Sequence, residues 1–235
     1  MWGSARGLLI AVAVVLIIIS AGCRTTDRMR ATIETRPRWG ERVELPPPVK
    51  AGRISLEESL AKRRSVREFS SKALTEAEVG QLLWAAQGIT HPSGLRTAPS
   101  AGALYPLEIY VAISDGVFHY EPRLHRLQRR SQKDARPALY HAGLEQDSLL
   151  RAPAVFVIAV VYERTTRKYG SSRSPRYVHL EAGHSAQNLL LQAVTLGLGA
   201  VPVGAFHDAE VQKALALPSD EQPVYLIPVG HPLQQ

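Results

Sequence analysis

The segment from Ala154 to Tyr162 constrains the fold more than any other part of the chain. Its residues are almost continuously apolar and rich in β-branched side chains, without the alternation of a half-buried strand. Such a run is typical of a strand that is covered on both faces. A sheet that contains this strand needs helices on both sides. The sequence therefore predicts an α+β domain with a mixed β-sheet between helical layers.

The other elements alternate between strand and helix patterns. Further strands are predicted over 107–113, 117–121, 200–206 and 224–229, with Asp115-Gly116 as a hairpin turn. Helices are predicted after the capping box Thr75–Glu78, over 135–150 in two pieces, over 179–196 and over 208–217. The segment 179–196 is apolar on most sides, so we expect a long and largely buried helix.

The first 23 residues have the pattern of a targeting segment. Arg6 precedes the apolar run Leu8–Ile19, which is too short for a comfortable spanning helix. The small residues after it lead to Cys23, the only cysteine, as in a bacterial lipoprotein signal with a lipidated cysteine. Ser20 stands where such signals usually have a large aliphatic residue. We expect an extracytoplasmic, membrane-tethered lipoprotein; an uncleaved anchor with the domain in the cytoplasm and cleavage near Ala21 are the alternatives.

Residues 24–53 are polar, basic and proline-bearing, with Pro46-Pro47-Pro48 near their end. This composition predicts a flexible linker between the leader (1–23) and one globular domain (54–235). The chain is 45% hydrophobic and 21% charged, which is ordinary for a globular protein. A single cysteine excludes an intrachain disulfide, so the domain depends on its core.

The formal charge of +7 suggests an anionic partner. The arginines are scattered and form no basic stripe with interleaved aromatic residues, so we expect no nucleic-acid binding. No metal site is predicted. The densest basic segment contains Arg63, Arg64, Ser65 and Arg67. Guanidinium groups match phosphate oxygens and stay charged, so this segment suits a phosphate, although a solvated basic turn has the same composition.

Four segments, in this order, closely resemble the FMN-dependent nitroreductase family: Arg63–Arg67, Arg96–Pro106, Glu181–Gly199 and Pro202–Phe206. The second and third are similar to its SagB-type dehydrogenase branch, whose members oxidise thiazoline and oxazoline rings to thiazoles and oxazoles. The resemblance extends from Leu56 to the end of the chain. It implies a nitroreductase-like fold that is homodimeric, with the long buried helix at the dimer core.

The resemblance also implies a set of FMN-binding residues. They are Arg63, Arg64, Ser65, Arg67, Pro99, Ser100, Ala101, Gly102, Asn188, Val203, Gly204 and Ala205. Arg63 and Arg67 match the basic residues that in the family hold the FMN phosphate and its ribityl–pyrimidine side, with Ser65 beside them. The segment Pro99–Gly102 resembles the family's loop that runs along the flavin, often from the second subunit. Backbone amides at Val203–Ala205 would point at flavin N5, where a donor favours the reduced cofactor. Asn188 is equally compatible with a helix-packing hydrogen bond.

Lys168 and Tyr169 are the candidate catalytic pair, in a loop rich in serine and arginine. In ring-oxidising members, a Lys-Tyr pair in this region is associated with proton removal. A desolvated lysine can act as a base near neutral pH, and a phenol can orient or relay the proton. A solvated loop is the alternative. Tyr105, beside the flavin-facing segment, is a candidate substrate contact.

These features predict an FMN-dependent oxidoreductase of the SagB type that acts on a small-molecule or peptide substrate. Ala103 favours this branch, because many plain nitroreductases have asparagine there. An NAD(P)H-dependent nitro or quinone reductase is the second hypothesis. A non-catalytic scaffold lipoprotein is the third. His231 lies where many nitroreductases have a basic phosphate ligand, and this departure keeps the third hypothesis open.

Overall fold

The computed structural model describes residues 39–233. Its strands are β1 (Arg42–Glu44), β2 (Leu107–Ile113), β3 (Gly116–Glu121), β4 (Arg126–Ser131), β5 (Ala154–Val160), β6 (Gly199–Ala200) and β7 (Gln222–Gly230). Its α-helices are α1 (Leu56–Lys62), α2 (Glu76–Gln87), α3 (Arg136–Ala142), α4 (Asp147–Arg151), α5 (Tyr162–Tyr169), α6 (Ser174–Thr195) and α7 (Asp208–Leu215). All seven strands belong to one sheet, in the order β1-β4-β3-β2-β5-β7-β6.

The sheet is antiparallel, whereas a mixed sheet was the expectation. Each ladder between named strands is antiparallel, and the single parallel pairing in the described part of the chain is an isolated bridge between Ser65 and Ala200. The continuous apolar run of β5 indicates burial on both faces, but it does not encode strand direction. A central antiparallel strand has the same composition when helices cover both of its faces.

Different helices cover the two faces of the sheet. Phe156 and Ile158 of β5 pack in a core with α2 and α6, and every residue of β5 is buried. Val155 and Val157 point to the opposite face and pack in a second core with α3, α4 and α7. Alternate residues of one strand therefore enter two separate cores, and the predicted α+β domain with two helical layers is confirmed.

The folded domain begins before Ile54, the boundary that composition suggests. Residues 42–44 form β1, which pairs with β4 at the edge of the sheet. Trp39, Val43 and Leu45 are buried in the core beneath α2. The described part of the predicted linker is therefore attached to the domain, because three large apolar side chains outweigh its proline content. Residues 24–38 lie outside the described range, as does the leader with Cys23.

The helix predicted over 179–196 begins five residues earlier, at Ser174, where Pro175 occupies its first turn. None of the helices among residues 39–233 is long and apolar enough to cross a membrane. The strand predicted over 200–206 is much shorter, because Pro202 has no N–H for a ladder. After one further bridge at Val203, the chain leaves the sheet.

Candidate active site

The segment Arg63–Arg67, which we call the phosphate segment, lies along the β6 end of the sheet. The Val66 amide donates to the Ala200 carbonyl at 3.0 Å. A Cβ on Gly199 would lie 2.6 Å from the Val66 side chain, so only glycine permits this approach. The sequence analysis did not predict this role for Gly199.

The arginines of the phosphate segment fall into two classes. The Arg64 guanidinium folds back on α1 and donates to the carbonyls of Ala61 (3.0 Å) and Arg63 (2.8 Å). Arg63 and Arg67 make no ion pair with any residue in the described range. Two guanidinium groups are thus available for an anion, while Arg64 stabilises the helix end.

The segment after β6 carries free backbone donors. The Val203 amide donates to the Leu226 carbonyl at 2.8 Å, but the amides of Gly204 and Ala205 have no acceptor within residues 39–233. Both residues are exposed, and a Cβ on Gly204 would meet no atom within 4 Å. Unpaired amides beside open space suit the hydrogen-bond acceptors of a flavin ring. The guanidinium groups of Arg63 and Arg67, at the same end of the sheet, suit its phosphate.

Lys168 and Tyr169 converge on the segment Pro99–Gly102, which we call the flavin loop. A Cβ on Gly102 would lie 2.8 Å from Lys168 Nζ and 2.9 Å from Tyr169 Oη. The pair lies at the carboxyl end of α5, not in the loop that the serine and arginine content suggests. A helix holds the two side chains more rigidly than a loop would.

The backbone around the flavin loop is strained. Gly102, Ala103 and Tyr105 have φ values of +64°, +53° and +48°, and two of these residues carry a Cβ. The Ser100 hydroxyl accepts the Tyr105 amide at 2.9 Å and closes the turn. Such strain persists only where surrounding contacts hold it, and it is concentrated at functional sites.

Arg164 attaches α5 to this turn. Its guanidinium donates to the Tyr105 carbonyl at 3.0 Å and pairs with the Glu108 carboxylate at the start of β2. Burial alone would raise the pKa of Glu108, but hydrogen bonds from His119 and Arg164 outweigh it, and the pKa is lowered. Glu108 is thus held as a carboxylate. Arg164 lies one helical turn before Lys168, so this clamp positions the candidate catalytic pair.

Tyr105 and Asn188 have mainly structural partners. The Arg96 guanidinium lies 4.4 Å from the centre of the Tyr105 ring, a cation–π contact. Asn188 donates to the Thr97 carbonyl at 3.3 Å and thereby packs α6 against the segment before the flavin loop. Of the two uses left open for Asn188, the helix-packing bond is present.

A buried polar cluster that the motifs do not predict lies behind the flavin loop. Glu181 is 2% exposed, and its carboxyl faces Ser100, Arg96 and Gln87. Burial raises the pKa of Glu181 to about 7. Arg96 Nη1 donates to Gln87 Oε1 at 2.8 Å, and burial lowers the Arg96 pKa. The available signal was a carboxylate in a helix that is predicted to be largely buried, where an acidic side chain needs a buried partner.

A groove of 810 Å³ lies between residues 46–54, α1, α2 and α6. Its walls are largely apolar, and Trp84, Leu191 and Leu196 are among them. Asn188 is the one residue of the predicted cofactor set that lines it. The groove therefore does not coincide with the predicted flavin contacts.

The predicted site residues form two groups in the chain. One comprises the phosphate segment and Val203–Ala205, at the β6 end of the sheet. The other comprises the flavin loop, Tyr105, Lys168 and Tyr169. No hydrogen bond among residues 39–233 joins the two groups directly. The His231 carbonyl accepts from the Ser70 amide at 2.9 Å, three residues after the phosphate segment, while the His231 ring lies 3.6 Å from the Glu78 carboxylate.

The sequence matches one protein-family model and two named proteins that bear on its function. The family model described as the nitroreductase family matches residues 60–231. A Methanocaldococcus jannaschii protein named as a nitroreductase is 48% identical over 77% of this chain and 93% of its own length. The trifolitoxin-processing protein TfxB of Rhizobium leguminosarum is 30% identical over 52% of this chain and 35% of its own length.

Solved structures agree with the sequence matches. A Ralstonia eutropha protein named as a nitroreductase has a TM-score of 0.76 and 29% identity, covering 85% of this chain and 95% of its own. A similarly named Anabaena variabilis protein has a TM-score of 0.67 and 31% identity, covering 76% and 38%. The family match spans most of the chain, including both groups of predicted site residues. The chain therefore belongs to the nitroreductase family of flavin-dependent oxidoreductases.

Proposed function

We propose that this protein is an FMN-dependent dehydrogenase of the SagB type, which oxidises an azoline-like ring in a small molecule or peptide. The observation that carries the proposal is the convergence of Lys168 Nζ and Tyr169 Oη on Gly102. A base and a phenol beside the flavin loop suit removal of a proton from a substrate carbon. The similarity to TfxB, which is named for toxin processing, supports a peptide substrate.

FMN, when bound, supplies the redox chemistry by accepting a hydride from the substrate and passing the electrons to an acceptor such as oxygen. Arg63 and Arg67 would hold its phosphate with Ser65 beside them, and the Gly204 and Ala205 amides would donate to the flavin edge. Lys168 would take the proton that leaves the substrate, with Tyr169 orienting or relaying it. Lys168 is exposed in the single chain, so bound substrate and a neighbouring subunit would supply its desolvation.

A homodimer would complete this site. No hydrogen bond among residues 39–233 joins the two groups of site residues, and a two-fold axis would bring the phosphate segment of one subunit to the flavin loop of its partner. The long helix α6 leaves Leu180 55% exposed, which suits a helix covered by a second copy.

The absorbance spectrum of the purified protein tests the cofactor. We expect a flavin spectrum, with about one FMN released per subunit on heating. Replacing Arg63 and Arg67 together with glutamine removes two charge-assisted contacts, so the variant should purify without colour. Arg64→Gln is the matched control and should stay yellow, because Arg64 is engaged by the end of α1. A yellow double variant contradicts the phosphate assignment.

Substrate oxidation tests the SagB assignment. The protein is supplied with an azoline-containing peptide and oxygen, and product formation is compared with that of Lys168→Met. Wild type should oxidise the ring, and the variant should keep its flavin but lose roughly 10²-fold or more in turnover. Equal turnover removes Lys168 from the mechanism.

An NAD(P)H-dependent reductase of nitro or quinone compounds is the second candidate, favoured by the name of the Methanocaldococcus relative. Rapid flavin bleaching by NADPH and turnover with a quinone, without azoline oxidation, would select it. A folded protein that takes up no FMN would select the scaffold function.

We also propose that the domain is tethered to a membrane through Cys23, which lies outside the described residues. The full chain should fractionate with membranes and incorporate labelled palmitate. Cys23→Ser should lose the label. A labelled serine variant contradicts lipidation at this residue, and an unlabelled wild type that remains in the membrane fraction selects the uncleaved anchor.

A further inference from the structure

The long helix α6 presents a polar stripe to α2 and to the segment before the flavin loop. It consists of Glu181, Ser185, Asn188 and Gln192, spaced as one face of a helix. Three members make direct hydrogen bonds. Ser185 donates to the Ala86 carbonyl at 3.0 Å, Asn188 donates to the Thr97 carbonyl at 3.3 Å, and Gln192 Oε1 accepts from Gln81 Nε2 at 3.0 Å. Glu181 is the one ionisable member of this stripe.

Glu181 lies where the stripe reaches the flavin loop. Its side chain is 2% exposed and faces the Ser100 hydroxyl, the Arg96 guanidinium and the Gln87 amide. Its Oε1 atom is buried and has no hydrogen-bond partner among residues 39–233. A carboxylate that is merely structural is normally fully paired when buried. This acid is therefore only partly compensated, directly behind the flavin loop.

We propose that Glu181 is a positioning residue, whose ionised carboxylate fixes the Ser100 hydroxyl and thereby holds the flavin loop in the conformation that binds FMN. This inference rests on the proposed FMN site. Ser100 Oγ accepts the Tyr105 amide at 2.9 Å, so its own proton is available for Glu181. A hydrogen bond to a carboxylate is about twice as strong as one to a neutral acid. Ionisation of Glu181 therefore strengthens the link from α6 to the loop.

Few charged groups face Glu181 within the described residues. Arg96 faces it from the loop side and favours the ionised form, while α2 contributes the neutral Gln87. Glu108, Arg164 and Tyr105 interact with Arg96 behind it. Burial is the largest influence and raises the pKa of Glu181 to about 7. The carboxyl thus changes its protonation state near neutral pH.

The test is the dissociation constant of FMN as a function of pH, measured by flavin fluorescence with the full-length protein. In the wild type, FMN should bind more tightly as the pH rises through about 7. We expect a change of about tenfold, the effect of a coupling worth one pKa unit. Glu181→Gln keeps the shape but cannot ionise, so its profile should lack this transition. The FMN phosphate also titrates, but it does so equally in both proteins, and the difference isolates Glu181.

Two further variants separate positioning from folding. Ser100→Ala removes the link at its exposed end and should also lose the transition, even if Glu181→Gln proves unstable. Glu221→Gln removes another buried acid with a raised pKa, which binds the Tyr110 hydroxyl at 2.7 Å, and should keep the transition. Identical profiles for wild type, Glu181→Gln and Ser100→Ala overturn the inference alone. Absence of FMN binding at every pH overturns the proposed function instead.

Discussion

Gly102 shows how much can depend on one missing side chain. It adopts a left-handed backbone conformation, and the space that a Cβ would need is taken by Lys168 Nζ and Tyr169 Oη. Neither fact is visible in the sequence, where Gly102 is predicted only as part of the segment that runs along the flavin. The residue therefore has two roles, in the turn and in bringing the loop close to the candidate catalytic pair.

Gly102→Ala should lower turnover more than stability. The left-handed conformation costs alanine about 1–2 kcal/mol, whereas displacing the pair by about 1 Å can cost about 10²-fold in rate. Chemical unfolding and steady-state oxidation measure the two effects. Gly52→Ala is the control, since its Cβ would meet only one atom, at 3.9 Å, and no positive φ is involved. Unchanged turnover in Gly102→Ala would mean that the pair is not catalytic.

The raised pKa of Glu181 also predicts how the free energy of unfolding depends on pH. Its folded-state pKa of about 7 lies above the ordinary value of 4.5, so the folded state holds this proton more tightly than the unfolded state does. The contribution of Glu181 to the free energy of unfolding is therefore fully present below pH 4.5 and is lost as the pH rises through about 7, by on the order of 3 kcal/mol.

Urea unfolding of wild type and Glu181→Gln at a series of pH values measures this contribution. The stability of the variant relative to wild type should increase between pH 4.5 and about 7 and then become constant. A difference that does not vary with pH would show that Glu181 titrates normally in the folded protein.

Helix α5 is the element that connects the sheet to the site. It follows β5 directly, and the Val161 amide donates to the Pro106 carbonyl at 2.8 Å. Arg164 adds a second attachment through Tyr105 and Glu108. The turn around the flavin loop and the candidate catalytic pair are therefore both held by the ends of two neighbouring strands, β2 and β5.

Arg164→Gln should reduce turnover without releasing the cofactor. The variant loses the contact to Glu108, so α5 gains freedom relative to the flavin loop, and a loss of roughly tenfold in kcat is expected for imperfect positioning. Arg167→Gln is the matched control, because Arg167 pairs only with the exposed Glu163 on the same helix. Equal kcat values for the two variants would contradict the positioning role of the Arg164 contacts with Tyr105 and Glu108.

At the scale of the whole molecule, the proposed homodimer concerns the surface of α6 and the two groups of site residues. Within residues 39–233, no hydrogen bond joins the phosphate segment directly to the flavin loop, and α6 exposes Leu180. If α6 forms the dimer core, burial of this side chain stabilises the assembly and cofactor binding depends on it.

Leu180→Glu should therefore yield a monomer that purifies without FMN. Leu124→Glu is the control, since Leu124 is also 55% exposed but lies in the turn between β3 and β4. Light scattering with absorbance detection reports mass and flavin content together. A Leu180→Glu protein that remains a yellow dimer would place the interface elsewhere.

Patterns of adjacent residues were sufficient for much of the fold. The apolar run of β5, the capping box of α2 and the hairpin between β2 and β3 each depend on local chemistry, and each is present. β4 was not predicted, because its sequence Arg126–Ser131 is polar and becomes a strand only by pairing with β1 and β3. The expectation of a mixed sheet was wrong, since burial on two faces is independent of strand direction.

The sequence by itself determined the layered α+β class and the short motifs that identify the family, because periodicity and motif spacing are properties of neighbouring residues. Only the tertiary structure decided which distant residues meet. Lys168 and Tyr169 lie against Gly102, and the Arg64 guanidinium donates to a carbonyl at the end of its own helix. Glu181 is buried behind Ser100. These outcomes depend on how helices pack on the sheet, which is the sum of many long-range contacts that no local pattern encodes.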